Sequence, residues 1–520
     1  MTALARAVRV VSSLTLVSRV AGLVRDVVTA RLFGDTAIGS AFAAAFAVPN
    51  TFRRLFGEGA LAAAFVPEYA QLVERDPRAA DRFASFTLAV IAAATTLLVV
   101  LAEAALWLVV VRLDEGTQRF SLVLVMVALP FMPLICIAAV MAGVLQARGR
   151  FGPPAAQPIV LNTCVLGAAG AHALREGAPL ESAAMLLCGA VVLSGAIQVA
   201  WSALALRPHV RWTRALAGVG DSARRLLGRW ATAVIGLGTL QASALVDVLL
   251  AMWPIWVGGV VFGVAYPLDE QSNAVLFYAQ RLYQFPLGVF GVAVATAALP
   301  LLSRAAGDAA RFRSATVDAL CLTLAIALPA SVGLVLVSGD LVAVLFSGWG
   351  SFSAEGVGRA SAALVGYASC VWAYAINQVL TRGFYALGDT RTPALVAVGV
   401  LLANLALNLS LIWVLREAGL AWATAIAAVL QAVVLAVLLR RRHGVRVAGE
   451  AWRRTSRAAV PLVAVIAAVL AVRFLWVGED WGVRLGRLAA CVLAGVAAYG
   501  VASRVVGYGE LRRLLARSRG

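Results

Sequence analysis

Four arginines lie inside apolar sequence near the start of the chain. Arg19 and Arg25 fall in SSLTLVSRVAGLVRD, and Arg53 and Arg54 in PNTFRRLFGEGALAAAFVP. A cationic side chain at bilayer depth costs at least ~3 kcal/mol on insertion-derived scales, so such a cluster survives only beside water, an anion or a carboxylate. Two carboxylates are close. Asp26 is seven residues from Arg19 and shares its helix face, whereas Arg25 projects roughly 120° away from Arg19. Glu58 follows Arg54 by four residues, between Gly57 and Gly59. Pairing of Arg54 with Glu58, and of Arg25 with Asp26 through a neighbour, would lock two helices together. It would also leave four arginines sharing two carboxylates. A fifth, Arg281 in FYAQRLYQFPLGVFG, has no carboxylate nearer than Glu270. This surplus of planar cationic forks suits an anion with paired oxygens, phosphate or diphosphate, and equally a small-anion pathway.

A second constellation is oxygen-rich. Asp247 sits in LQASALVDVLLAMW, Asn404 and Asn408 are one turn apart in ANLALNLSL, and Thr424 follows in the next apolar segment. A carboxylate with amide and hydroxyl oxygens at membrane depth suits a monovalent cation or a proton, and equally a hydrogen-bonded knot between helices. No Ser/His/Asp grouping, acidic metal cluster or phosphate-binding glycine loop is present, so the chain is not expected to be an enzyme. His172, His209 and His443 are isolated, and the six cysteines all fall in apolar segments without a C-x-x-C pair, as small packing residues.

The elements that must position these groups are membrane helices. Of 520 residues, 62% are hydrophobic and 13% charged, the composition of a polytopic membrane protein. Hydropathy marks 14 segments, at about 8–32, 38–66, 83–111, 120–147, 155–174, 182–206, 230–252, 273–302, 315–337, 357–386, 394–415, 419–439, 458–476 and 486–506. The first contains Arg19 and lacks a small-residue cleavage site, which makes it a retained helix rather than a signal peptide. All the basic charge behind the net +18 is arginine. It crowds into loops on one side, notably 207–229 (Arg207, Arg211, Arg214, Arg224, Arg225, Arg229) and 440–457, while the other side has few, among them Arg112, Arg119, Arg175 and Arg416. By the positive-inside rule both termini are cytoplasmic. The charge then reads as topology and attraction to anionic membrane lipids, with no nucleic-acid partner.

An internal repeat joins Ala147-Arg148-Gly149-Arg150-Phe151-Gly152-Pro153-Pro154 to Ala386-Leu387-Gly388-Asp389-Thr390-Arg391-Thr392-Pro393, both A-x-G-x-x-x-x-P and 239 residues apart. A weaker echo links Phe56-Gly57 and Pro67 to Phe290-Gly291 and Pro300. An even number of spans per copy gives parallel lobes related by an axis along the membrane normal. The expected organisation is an N-lobe over 1–206, a cytoplasmic linker over 207–229, a C-lobe over 230–443, and a C-terminal pair of helices with a basic tail over 444–520. Residues 221–230 suit a short amphipathic interfacial helix with Leu226, Leu227 and Trp230 on its apolar side. Residues 254–270 are extra apolar sequence without an assigned role.

The chain resembles the MurJ/MviN family of lipid II flippases in the MOP exporter superfamily. The likeness extends along nearly the whole chain and is densest at 12–34, 49–67, 277–300 and GFYALGDTRTP (383–393). It implies an all-α polytopic membrane protein of about 14 transmembrane helices, with two six-helix lobes in a V-shaped MATE-like arrangement plus a two-helix C-terminal hairpin. It implies a flippase that carries undecaprenyl-diphosphate-linked disaccharide-pentapeptide (lipid II) from the inner to the outer leaflet of a bacterial cytoplasmic membrane for peptidoglycan biosynthesis. In that family pattern Arg19, Arg25, Arg53 and Arg281 line a central cavity and bind the diphosphate. Asp26, Arg54 and Glu58 gate or balance charge, and Asp247, Asn404, Asn408 and Thr424 fall where some members have a sodium site. Coupling to Na+ or H+, or to the membrane potential, is expected without a cofactor, and cell-wall synthesis machinery is an expected partner. Ser40 stands where many members carry an acidic residue, and Asn408 where a second carboxylate is expected. Alternatives are a flippase for another polyprenyl-diphosphate saccharide, a MATE-like exporter, and a non-transporting scaffold for envelope assembly.

Overall fold

The computed structural model describes residues 3–52, 60–215, 219–288, 292–348 and 350–510. They are almost entirely helical and divide into two compact units, residues 1–274 and 275–520.

The first unit holds α1 (Ala3–Phe33), α2 (Ala37–Phe52), α3 (Ala60–Arg75), α4 (Pro77–Val110), α5 (Thr117–Ala128), α6 (Phe131–Ala147), α7 (Gly152–Ala173), α8 (Leu180–Leu206) and α9 (Gly220–Trp256), then a hairpin of β1 (Val260–Val261) and β2 (Val264–Ala265). The second begins within α10 (Ser272–Pro286) and continues through α11 (Val292–Ala305), α12 (Ala309–Phe346), α13 (Ala354–Ser369), α14 (Val371–Ala386), α15 (Arg391–Leu415), α16 (Glu417–His443), α17 (Ala448–Thr455), α18 (Ala459–Leu475) and α19 (Trp481–Val505). Among the described residues, each of the 14 apolar segments coincides with one helix or with two consecutive ones. Among the described residues nine helical stretches are long and apolar enough to cross a membrane, with Ala37–Thr51 and Gln241–Trp256 as shorter apolar helices.

The side chains sort as a lipid solvent requires. On α4 the exposed positions are Leu97, Val100, Leu101 and Trp107, while Ala80, Phe83, Ala84 and Thr87 turn inward. The Thr87 hydroxyl donates to its own helix at the Phe83 carbonyl, so burial leaves no polar atom unmet. Asp76 starts this helix by accepting from the amides of Arg78 and Ala79, with Pro77 in the first turn, where its missing N–H costs nothing. Phe65, Tyr69 and Phe83 stack at the centre of one first-unit core, and Phe312, Leu320, Phe384 and Leu439 anchor the second unit's.

The repeat is visible in backbone geometry. After α6, Gly149 adopts φ +73° and the Arg150 amide donates to Leu145 O; after α14, Gly388 adopts φ +77° and the Asp389 amide donates to Phe384 O. Both are helix ends closed by a left-handed residue, a position glycine fills without a Cβ clash. The proline that follows each then opens the next helix, α7 or α15. Phe56, Gly57, Phe290 and Gly291 of the weaker echo lie outside the described residues.

One expectation is corrected. Residues 221–230 are not a separate interfacial helix but the opening turns of the unbroken 37-residue α9. Leu226 is buried in the same core as Tyr69, and Trp230 packs against it, whereas Leu227 is exposed. The physical reason is continuity: no glycine turn or proline separates this stretch from the apolar segment it leads into.

Candidate functional site

In the first unit Arg25 sits at the centre of a knot of three helices. Arg25 and Asp26 are adjacent on α1, where neighbouring side chains ordinarily diverge. The long Arg25 stem folds back, and both Nε (3.0 Å) and Nη2 (2.6 Å) donate to Asp26 Oδ1. Nη1 donates to Asn162 Oδ1 on α7 at 2.9 Å, and Asn162 Nδ2 donates to the Ser18 carbonyl on α1 at 3.1 Å. The Phe46 ring of α2 lies 4.9 Å from the guanidinium carbon, within cation–π range. Asp26 and Asn162 are buried. The Arg25–Asp26 pairing is therefore direct, with Asn162 as an added third partner. Helix α1 passes through Gly22 without interruption, and a Cβ there would touch Asn162 Nδ2 at 3.6 Å. Arg19 lies half-buried nearly two turns earlier on the same helix. Arg53, Arg54 and Glu58 lie outside the described residues.

Ser40 on α2 has a defined task. Its hydroxyl oxygen accepts from the Ala274 amide at 3.0 Å, and its carbonyl accepts from Asn273 Nδ2 at 2.8 Å. Ala274 lies in the first turn of α10, where unsatisfied amides carry the positive end of the helix dipole. A neutral hydroxyl here serves the amide that a carboxylate would also suit.

In the second unit Arg281 lies on α10 with its guanidinium carbon 4.4 Å from the centre of the Phe277 ring, one turn earlier. Around it Gln280 Nε2 donates to the Tyr367 hydroxyl at 2.9 Å, and the Tyr283 ring stacks on Tyr367 and Tyr374. On α15, Asn408 Nδ2 donates to Asn404 Oδ1 at 3.3 Å, with both residues buried. Thr424 on α16 donates its hydroxyl to Leu420 O, leaving oxygen lone pairs available. Asp247 is buried in α9 of the first unit. Among the described residues no group of three or more His, Cys, Asp and Glu side chains could hold a metal ion.

Two further buried ion pairs were not singled out from the sequence. Arg359 on α13 pairs with Glu417 at the start of α16, and Arg487 on α19 with Asp340 on α12. Their partners are 58 and 147 residues apart, beyond any helical spacing rule. The second pair fastens the C-terminal hairpin to α12, helped by Trp481 Nε1 donating to Val344 O and Tyr499 donating to Ala325 O.

Comparison with known proteins places this arrangement in context. A family model described as "Lipid II flippase MurJ" matches residues 29–493. The chain is 30% identical to a probable lipid II flippase MurJ of Rhizobium tropici, over 98% of this chain and 96% of that protein. It is also 30% identical to the lipid II flippase MurJ of Burkholderia cenocepacia, over 95% and 96% respectively. Among solved structures, a lipid II flippase MurJ in an inward closed conformation superposes with a TM-score of 0.75 at 22% identity, covering 95% of this chain and 99% of that one. An inward-facing multidrug MATE transporter of the MOP superfamily does so with 0.68 at 15% identity, over 85% and 98%. The fold is shared with both.

Proposed function

Because this chain belongs to the lipid II flippase MurJ family, we propose that it moves lipid II from the inner to the outer leaflet by alternating access. It is a multi-pass membrane transporter and not an enzyme. The membrane is the bacterial cytoplasmic membrane with both termini inside, and the product feeds peptidoglycan assembly, with cell-wall synthesis machinery as partner. The repeated turns at Gly149 and Gly388 support two related lobes, 1–206 and 230–443, joined by 207–229 and followed by the 444–520 hairpin and tail.

The observation that carries the reading is the Arg25 fork. A guanidinium that already holds a carboxylate oxygen through two N–H groups has the geometry to hold a phosphate in the same way, and a diphosphate brings more charge. Asp26 then acts as the resident anion that the diphosphate displaces, which keeps the site neutral when empty and lets cargo leave. Asn162 holds the guanidinium through its remaining amine during the exchange. Arg19, Arg25, Arg53 and Arg281 are each diphosphate ligands in the cycle, and Arg54 and Glu58 balance charge. For coupling, Asp247 is the titrating carboxylate, and the oxygens of Asn404, Asn408 and Thr424 are donors to Na+; the membrane potential is the alternative drive.

The test is leaflet exchange of fluorescent lipid II in proteoliposomes. Wild-type protein should flip it, and Arg25→Ala and Arg281→Ala should abolish flipping with insertion intact. Undiminished rates in an Arg19/Arg25/Arg281 triple alanine variant would remove the diphosphate role. Imposed sodium, proton and potential gradients distinguish the drives.

A further inference from the structure

The segment between α9 and α10 has no part in the proposed transport cycle, and it folds into a structure of its own. From residue 248 through 268 there is no charged side chain. After α9 ends at Trp256 the chain turns into a two-stranded antiparallel hairpin, with Val260 opposite Ala265 and Val261 opposite Val264. The tip is Phe262-Gly263, with φ of +49° and +81°. Two consecutive left-handed residues make the tight turn that matches strand twist, and asparagine or glycine is the local preference at the first position. This chain puts phenylalanine there, fully exposed, with Val257, Val260 and Val264 exposed beside it.

The base of the hairpin is tied to the membrane boundary. The Tyr266 hydroxyl donates to Leu250 O at 3.0 Å, and its ring lies 6.1 Å from that of Trp253. The returning strand thus reaches back alongside the helix to a point about 9 Å before its end, at 1.5 Å per residue. The end itself is level with the start of α5, because Gln118 Nε2 donates to Trp256 O and Trp256 Nε1 donates to Ser121 Oγ. Just before α5 the exposed residues Arg112, Asp114 and Glu115 mark the aqueous layer. The hairpin lies beside that level and contributes only valine, alanine, glycine and aromatic residues. Paired aromatics at a helix end with an apolar tip beyond them is the composition of a membrane interface, not of a water-exposed loop.

We propose that residues 257–266 are an interfacial anchor seated in the lipid leaflet at the end of α9, with Phe262, Val260 and Val264 among the acyl chains. With both termini cytoplasmic, this is the outer leaflet. The partner is the lipid surface itself. It holds the α9–α10 connection at a constant depth while the rest of the protein transports.

Phe262→Cys and, separately, Val260→Cys in the full chain are labelled with an environment-sensitive nitrobenzoxadiazole and reconstituted in phosphatidylethanolamine–phosphatidylglycerol vesicles. Glu115→Cys gives the aqueous reference, and the unsubstituted chain treated identically gives the background from its own six cysteines. The expected result is blue-shifted emission at 262 and 260, quenched more strongly by acyl-chain nitroxide lipids than by iodide, with the reverse order at 115. Stronger quenching by iodide at both hairpin positions would overturn the anchor. Quenching by neither would also overturn it, by showing protein rather than lipid over the tip. Neither outcome bears on lipid II transport, which the flipping assay reads separately.

Discussion

Helices α7 and α15 occupy the same place in the two repeats, each opening after a glycine turn of matching geometry, and each buries an asparagine near its middle. In the first, Asn162 faces Arg25 of another helix and completes an ionic knot. In the second, Asn404 faces Asn408 one turn along its own helix, and the pair is neutral. The two asparagines, 13 residues beyond Gly149 and 16 beyond Gly388, therefore serve different purposes: one organises a charge between helices, and the other makes a neutral amide contact. The two units thus share a backbone device at the helix start, while the polar chemistry is set by the partner each asparagine meets.

The comparison can be broken most forcefully at Asp26. Asp26→Ala leaves the Arg25 guanidinium buried without its anion and should cost about 3 kcal/mol or more, measured by thermal unfolding in detergent. Asn404→Ala removes a neutral amide contact, worth about 1 kcal/mol in a membrane interior, and should shift the midpoint far less. Equal losses would show that the two knots do not differ in kind. Next in size, Gly149→Ala and Gly388→Ala should each cost ~1–2 kcal/mol, because both force a Cβ into a left-handed backbone. Marked inequality would mean that only one turn is rigidly held. Asn162→Ala should cost about as much stability as Asn404→Ala, about 1 kcal/mol, and should also slow lipid II flipping, because Asn162 holds the Arg25 guanidinium.

The last effect lies beside the second turn, at Asp389, and depends on pH. The Asp389 carboxylate accepts from the Thr392 amide at 2.9 Å and its hydroxyl at 2.6 Å, and His443 Nε2 lies 3.3 Å away. Partial burial would raise its pKa, but the Thr392 hydrogen bonds and His443 outweigh that and hold it below the ordinary aspartate value. A depressed carboxyl stabilises the fold above the unfolded-state pKa, and that contribution is lost as pH falls through the folded value. Asp389→Ala should therefore cost about 1 kcal/mol at neutral pH and nothing in strong acid. The counterpart Arg150→Ala should show no such pH dependence, as unfolding followed across acid pH would reveal.

Much of this was legible in the sequence, for stated reasons. Helix spans follow from runs of apolar residues, and the repeat shows because glycine and proline punctuate it at fixed spacing. Arg25 and Asp26 were readable because charge in apolar sequence is costly wherever it falls. Asn162 was not: it is 137 residues from Arg25, and a lone asparagine in an apolar helix carries no sign of its partner. Arg359–Glu417 and Arg487–Asp340 were hidden for the same reason. The hairpin at 260–265 escaped because two-residue strands have no periodicity and Phe-Gly is an unusual turn.

Ser40 leaves a final consequence. A carboxylate serving the Ala274 amide would lose its charge in acid, and the contact would weaken with it. A serine hydroxyl has no proton to gain across the range in which cells live, so the tie between α2 and the start of α10 has the same strength in acidic and neutral surroundings. The fastening is weaker than an ionic one and indifferent to acidity.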